Sequence, residues 1–294
     1  GAFFEYTFSS SRANIILGSR YDYHNLYGSQ FSPRTHLKFI LSEYTDLRLT
    51  AGKAWRVPNM IIDNISLLAN SKTWVYPDTI LPEISWNAGL SLVQRFKLFK
   101  RKSSLTLDYY HTRFENQLIA DRDVDPNKIV FKNLSNNSYS NAIQAELAIS
   151  PFKNFDIRFA YKLLDVQAVY DGEFQQQVMI PKHRGFVNFA YTTRNKRWSF
   201  DMTPAIFGSS RLPEYIDSEG VFHAQTNSPS YLRINTQITY KLKSFDIYFG
   251  GENITNYRQQ NPIIDAENPF GSTFDATRIW GPIVGANVYF GIRL

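Results

Sequence analysis

The residues best equipped for chemistry in this chain of 294 are five histidines, a spaced run of aspartates and a dispersed set of aromatic and cationic side chains. His24, His36, His111, His183 and His223 lie in separate segments without metal-site spacing, and read as ordinary lumen or loop histidines. Asp121, Asp123 and Asp125 are spaced as at the start of a calcium loop, but Pro126 stands where such a loop turns on Gly. That leaves a calcium site and a solvated loop as alternatives. Ser32 and His36 share a strand face yet are four residues apart, too far along a strand for the hydrogen bond that activates a serine nucleophile. No catalytic residue, metal site or cofactor is assigned. What remains is ligand capture. His24, Trp55, Arg56, Trp74, Tyr76, Arg122, Arg211, Tyr215, His223, Tyr257, Arg258, Gln259 and Trp280 suit planar, anionic or metal-complexed molecules through stacking and charge. For each of them singly, packing within a loop or an aromatic girdle is the competing reading.

The elements that must hold these side chains are strands, about thirteen of roughly ten residues each. In residues 155–163 the odd positions are Phe155, Ile157, Phe159, Tyr161 and Leu163, whereas Asp156, Arg158 and Lys162 share the even face with Ala160. Leu232, Ile234, Ile238 and Tyr240 oppose Arg233, Asn235, Gln237 and Thr239 in the same way. Either a half-solvated sheet on a soluble core or a lipid-facing barrel with a wet lumen produces this pattern. In the barrel, an Arg or Lys facing lipid at mid-depth costs roughly 2–4 kcal/mol, so Arg158 must point inward. Tyr or Phe near the strand ends, at Tyr21, Tyr23, Tyr161, Tyr191, Tyr240, Tyr289 and Phe290, matches interfacial girdles and favours the barrel.

Connections alternate in kind. Short ones are expected at 9–11, 42–44, 99–102, 151–154, 194–196 and 242–244. Between them lie 25–31, 55–82, 115–137, 169–181, 209–230 and 253–282, most of them long. An up-and-down barrel keeps short turns on the periplasmic side and long loops outside; a soluble sandwich has no reason to sort them. Pro204 interrupts an otherwise regular strand and predicts a bulge or the lumenal rim there.

Composition agrees. Aromatics make up 16% of the chain, with no Cys, and no apolar run is long enough for a helical span at a mean hydropathy of −0.32. The net charge of +6 is scattered along strands and turns rather than gathered on one motif, which argues against nucleic acid as a partner. Gly1 leads directly into a strand, so no signal peptide is read.

Three segments carry a family resemblance. Phe31-Ser32-Pro33-Arg34 followed by Gly52-Lys53-Ala54-Trp55-Arg56-Val57-Pro58, then Pro82-Glu83-Ile84-Ser85-Trp86-Asn87-Ala88-Gly89, and finally Asn253-Ile254-Thr255-Asn256-Tyr257 with Trp280-Gly281-Pro282 and the last strand, resemble TonB-dependent outer-membrane receptors. The closing segments resemble the Bacteroidetes type, although Leu294 stands where the family more often has an aromatic. The resemblance implies an all-β fold, a transmembrane antiparallel up-and-down β-barrel in the bacterial outer membrane. Residues 1–294 would supply the C-terminal portion of a barrel of 22 strands, with the N-terminal plug and first strands absent. It also implies active import of a scarce small cargo, such as a ferric siderophore, haem or a cobalamin-like complex, with energy from TonB. The implied partners are membrane lipid, the plug, TonB through the missing part, the cargo and a surface lipoprotein in the glycan-importing branch. Glu5, Arg20, Arg48, Arg158, Arg233 and Glu252 are then lumen residues facing the plug. A glycan importer, a passive porin-like barrel and a soluble all-β adhesion domain are the competing functions.

Overall fold

Strands that alternate between apolar and polar must pair edge to edge along both sides, because unpaired backbone groups are costly in a hydrocarbon layer. The computed structural model satisfies this with thirteen long strands in one antiparallel sheet, each paired with its sequence neighbours. They are β1 (Ala2–Ser9), β2 (Ala13–His24), β3 (Gly28–Ser42), β4 (Thr45–Arg56), β5 (Glu83–Leu98), β6 (Arg101–Asp121), β7 (Lys128–Phe152), β8 (Phe155–Tyr170), β9 (His183–Thr192), β10 (Trp198–Phe207), β11 (Tyr231–Lys241), β12 (Asp246–Glu252) and β13 (Asn287–Arg293). The structure describes residues 1–170 and 172–294; Asp171, within the connection expected at 169–181, lies outside the described residues. Among the described residues β1 and β13 are not paired with each other, so the sheet is an open arc of a barrel.

The ladders put the two faces where alternation placed them. Phe159 lies beside Leu147 and Val187, and Leu107 beside Leu92 and Ala145. Arg158 lies on the other face beside Ala148 and Asn188. Phe159 and Leu107 are 43% and 40% exposed, so the apolar face packs on no protein core. Cavities open instead on the polar face, one of them lined by Arg20, Asp22, Arg34, His36 and Thr50.

Short connections, at 10–12, 43–44, 99–100, 153–154, 193–197 and 242–245, share one end of the sheet. The opposite end carries 25–27, 57–82, 122–127, 171–182, 208–230 and 253–286. Two connections differ from expectation. The one expected at 25–31 closes in three residues on Gly28, whose φ of +65° turns the chain sharply. The one expected at 115–137 is mostly strand: β6 and β7 continue together past a register shift between Phe114 and Asn116 and reverse only at 122–127. Its apolar residues keep it extended, Ile119 and Leu134 being buried with Ala168 and Tyr170 at the end of β8, and Ile129 and Phe131 with Leu118 against Leu67 of the loop at 57–82. Pro204 makes no bulge. Pairing of β9 with β10 lapses at Thr203 and Pro204 and resumes in the same register, with Asn188 Nδ2 donating to Thr203 Oγ1 at 2.9 Å across the gap.

Candidate functional site

At the long-loop end the chain folds a second layer. A short strand, Thr73–Val75, runs parallel to Lys128–Val130, which lays Trp74 and Tyr76 on Phe131 at ring distances of 5.1 and 5.6 Å. Leu67, Ile129 and Phe131 are buried there, with Met60 and Leu118 packed against them. Among the described residues, helical structure is confined to Met60–Asp63 and Ile65–Leu68 in this loop.

Beside that apolar cluster lies a buried charge network spanning distant loops. Asp275 receives Lys72 Nζ at 3.1 Å, the Thr277 backbone amide at 2.8 Å and the Thr277 hydroxyl. Arg122 donates to Thr277 Oγ1 at 2.6 Å and stands 4.0 Å from Asp275. Burial by itself would raise the Asp275 carboxyl; the Lys72 charge, the Thr277 donors and Arg122 together hold it below its usual range. Lys72 is the weaker partner, since burial and the neighbouring Arg122 and Arg278 pull its ammonium down against the one carboxylate. Arg211 pairs with Asp123 at 2.7 Å and lies over the Tyr170 ring at 4.8 Å. Asp121 pairs with Lys132 and Asp125 with Lys128, so each aspartate of the spaced run has its own cation. The run is thus three separate ion pairs rather than a solvated loop, Asp121 being buried.

Arg122, Arg211, Trp74 and Tyr76 therefore sit within the loop layer. His24, Trp55 and Arg56 form a group at the tops of β2 and β4: His24 stacks on Tyr27 at 5.0 Å and meets Trp55 edge-on, and the Trp55 indole donates to Asp22 at 3.1 Å. Arg56 is held by Glu83 and Asp63.

The remaining residues converge. Phe207, Tyr231 and Tyr257 make a nearly parallel stack with successive ring distances of 4.8 Å, and Trp280 closes against Tyr231 at 6.1 Å. Gln259 is buried beneath, accepting from the Trp280 and Gly281 amides at 2.8 and 3.0 Å and donating to the Arg278 carbonyl at 2.8 Å. Arg258 is exposed and lies across Gly285, where an added Cβ would collide with its guanidinium. Tyr215 stacks on His223 at 4.4 Å, the Arg278 guanidinium lies over the Tyr215 ring at 4.1 Å, and His223 meets Asp217 at 2.7 Å. Arg184 and Arg233 reach the Phe207 ring at 4.9 and 5.3 Å. Below them opens a cavity of about 400 Å³ lined by Gln144, Glu146, Lys162, Arg184 and Arg233.

Arg184, Phe207 and Tyr231 escaped the sequence reading. Phe207 carried a usable signal, being an aromatic on the otherwise polar face of its strand, opposite in parity to Trp198 and Phe200. Among the expected lumen residues, Glu5 pairs with Arg34 at 2.6 Å, Arg20 with Asp22 at 2.7 Å and Arg158 with Glu146 at 3.5 Å. Arg48 lies between Lys38 and Ser91, and Glu252 beside Asn287.

A family model described as TonB dependent receptor-like, beta-barrel, matches residues 1–254. No curated protein matches the sequence. Among solved structures, the ferric enterobactin receptor PfeA of Pseudomonas aeruginosa superposes with a TM-score of 0.70 at 14% identity, over 99% of this chain and 44% of that one. The siderophore receptor PirA of Acinetobacter baumannii gives 0.68 at 14% identity over 96% and 43%. FpvA of P. aeruginosa, in a complex with a pyoverdine and iron, gives 0.68 at 12% identity over 99% and 37%. This chain thus spans less than half the length of the structures it resembles.

Proposed function

The chain belongs to the TonB-dependent receptor-like β-barrel family of outer-membrane proteins, and from that premise we propose that it forms part of an active importer of a small metal-bearing complex of the siderophore class. The family is one of receptors rather than enzymes. In this reading the intact protein carries a plug in the lumen, takes its energy from TonB and is of the Bacteroidetes type that its closing motifs resemble.

One observation carries the cargo class. The stack of Phe207, Tyr231 and Tyr257, closed by Trp280 and flanked by Arg184 and Arg233, offers flat π-faces beside guanidinium groups that form no ion pair among the described residues, at the mouth of the polar face. Planar, anionic chelates are what such a surface binds best: ring faces take the ligand's aromatic or conjugated planes, and Arg takes its negative charge. Sugars would stack on the rings as well but gain nothing from the paired arginines. In this reading the exposed Arg258, next in sequence to Tyr257, adds a further positive charge, with Gln259 holding Trp280 in position. Solved structures with siderophore receptors in their names support the same class.

The test is a tryptophan-fluorescence titration of the intact receptor with ferric catecholates, ferric hydroxamates, haemin, cobalamin and oligosaccharides. Saturable quenching by an anionic metal complex is expected, weakened by about 1–3 kcal/mol in Trp280→Ala or Tyr257→Ala. Binding of oligosaccharides alone, or co-purification of a glycan-capturing lipoprotein, would sink the proposal.

A further inference from the structure

The cations of the buried loop layer and those of the short-turn rim differ in their pairing. At the long-loop end Lys72, Arg122, Lys128, Lys132 and Arg211 all stand against carboxylates. At the short-turn end Lys153, Arg194, Lys196, Arg197, Lys241 and Lys243 are all exposed, and none makes an ion pair or a side-chain hydrogen bond among the described residues.

These six cations form one surface. Thr192 N donates to Asn154 O at 2.9 Å, joining the turn at 193–197 to that at 153–154, and Lys241 N donates to Arg197 O at 2.7 Å, joining it to the turn at 242–245. Directly above, on the apolar face, runs a continuous chain of rings. Phe152 meets Phe155 at 6.2 Å, Phe155 meets Tyr191 at 6.5 Å, Tyr191 and Trp198 each meet Phe200 at 6.2 Å, and Trp198 meets Tyr240 at 4.6 Å. Aromatic belts of this kind sit at headgroup depth. The cations one to three residues beyond the belt are therefore held at the level of lipid phosphates, with stems long enough to reach along the interface.

A neighbouring turn repeats the arrangement at some conformational cost. Phe99 and Lys100 take φ of 52° and 60°, the left-handed region where Asn-Gly is favoured, and Phe99 is 63% exposed. That tip presents a bare ring together with a cation that makes no ion pair among the described residues.

We propose that the short-turn rim from β7 to β12 is a binding surface for anionic phospholipid headgroups of the periplasmic leaflet, selecting phosphatidylglycerol- or cardiolipin-type lipids over zwitterionic ones. Charge complementarity carries the assignment. A zwitterionic headgroup brings its own ammonium into a region that is already cationic, whereas a net anionic one neutralises it, and each cation near such a surface favours it about fivefold. The surface is independent of the cargo, so its failure would leave the import reading untouched.

The test uses the intact receptor in mild detergent, offered equal amounts of zwitterionic and anionic phospholipid, with retained lipids counted by native mass spectrometry. At least about fivefold enrichment of the anionic lipid is expected, falling as salt is raised. It should approach unity in Lys153→Gln/Arg194→Gln/Lys196→Gln/Lys243→Gln and persist in Lys153→Arg/Lys196→Arg/Lys243→Arg. Equal retention by the natural protein, salt-independent enrichment, or enrichment unchanged by the Gln substitutions would overturn the proposal. So would displacement by matched inorganic phosphate, which marks a free-anion site, or cation-dependent sedimentation with peptidoglycan without any lipid preference. Should the Gln variant fail to fold, the salt series on the natural protein and the Arg variant decides.

Discussion

Asp275 shows how a single carboxylate can hold several loops together. Its two oxygens take up Lys72, Thr277 and the edge of Arg122 inside a layer that excludes water. Removing one partner of such a group leaves the others as uncompensated buried charge, which typically costs about 3–5 kcal/mol. Asp275→Ala is therefore expected to loosen residues 262–280 and 70–72 by that order, seen as accelerated amide hydrogen exchange there but not in β8 or β9. Lys72→Met with Asp275→Leu should cost less, because no lone charge is stranded. The pH dependence has a definite sign. Because the carboxyl is held below its usual range, the stability it contributes is fully present above the ordinary carboxylate pKa of about 4 and is lost as pH falls through the lower folded value. Exchange in these loops should stay slow from neutral pH down to about 4 and rise only below it; a rise between pH 7 and 5 would mean that another group controls the layer.

At the scale of the strand, parity decides which substitutions the barrel tolerates. Phe159 and Arg158 are adjacent in sequence and opposite in environment, Phe159 in a row with Leu147 and Val187, Arg158 paired with Glu146 on the polar face. Phe159→Arg puts a cation into hydrocarbon and should cost roughly 2–4 kcal/mol, measurable as reduced folding yield into lipid vesicles. Arg158→Leu, on the wet side, should leave that yield close to the natural level. Equal sensitivity of the two positions would contradict the assignment of faces. The strands themselves were legible in the sequence because period-two alternation survives in nearly all of them. The projecting β6–β7 hairpin was not, since its Asn- and Asp-rich composition reads as loop and only the burial of Ile129 and Phe131 against Leu67 reveals why it stays extended.

Across the whole molecule, the loop at 253–286 is stitched to the loop at 57–82 by backbone bonds from Ala276 N to Ala69 O at 2.9 Å and from Ser71 N to Phe274 O at 3.0 Å. Strands far apart in the sheet are thereby linked at the outer end. The chain has no cysteine, so Ala69→Cys/Ala276→Cys introduces one disulfide at this seam without competing thiols. Cargo affinity of the oxidised intact receptor should change by less than about twofold, since the seam is already closed around a buried network; a large loss would show that the loops must part for binding. The amino-acid sequence alone determined the thirteen strands, their facing and which end bears the long loops, because lipid on one side and water on the other impose a residue-by-residue code that needs no knowledge of distant contacts. Only the tertiary structure decided which candidates meet. Arg122 and Thr277 lie 155 residues apart, and nothing local distinguishes Arg122, taken up in ion pairing, from Arg184, left beside an open ring stack. Those outcomes depend on how independent loops pack over one mouth, and that packing is set by long-range burial and charge pairing rather than by any periodicity.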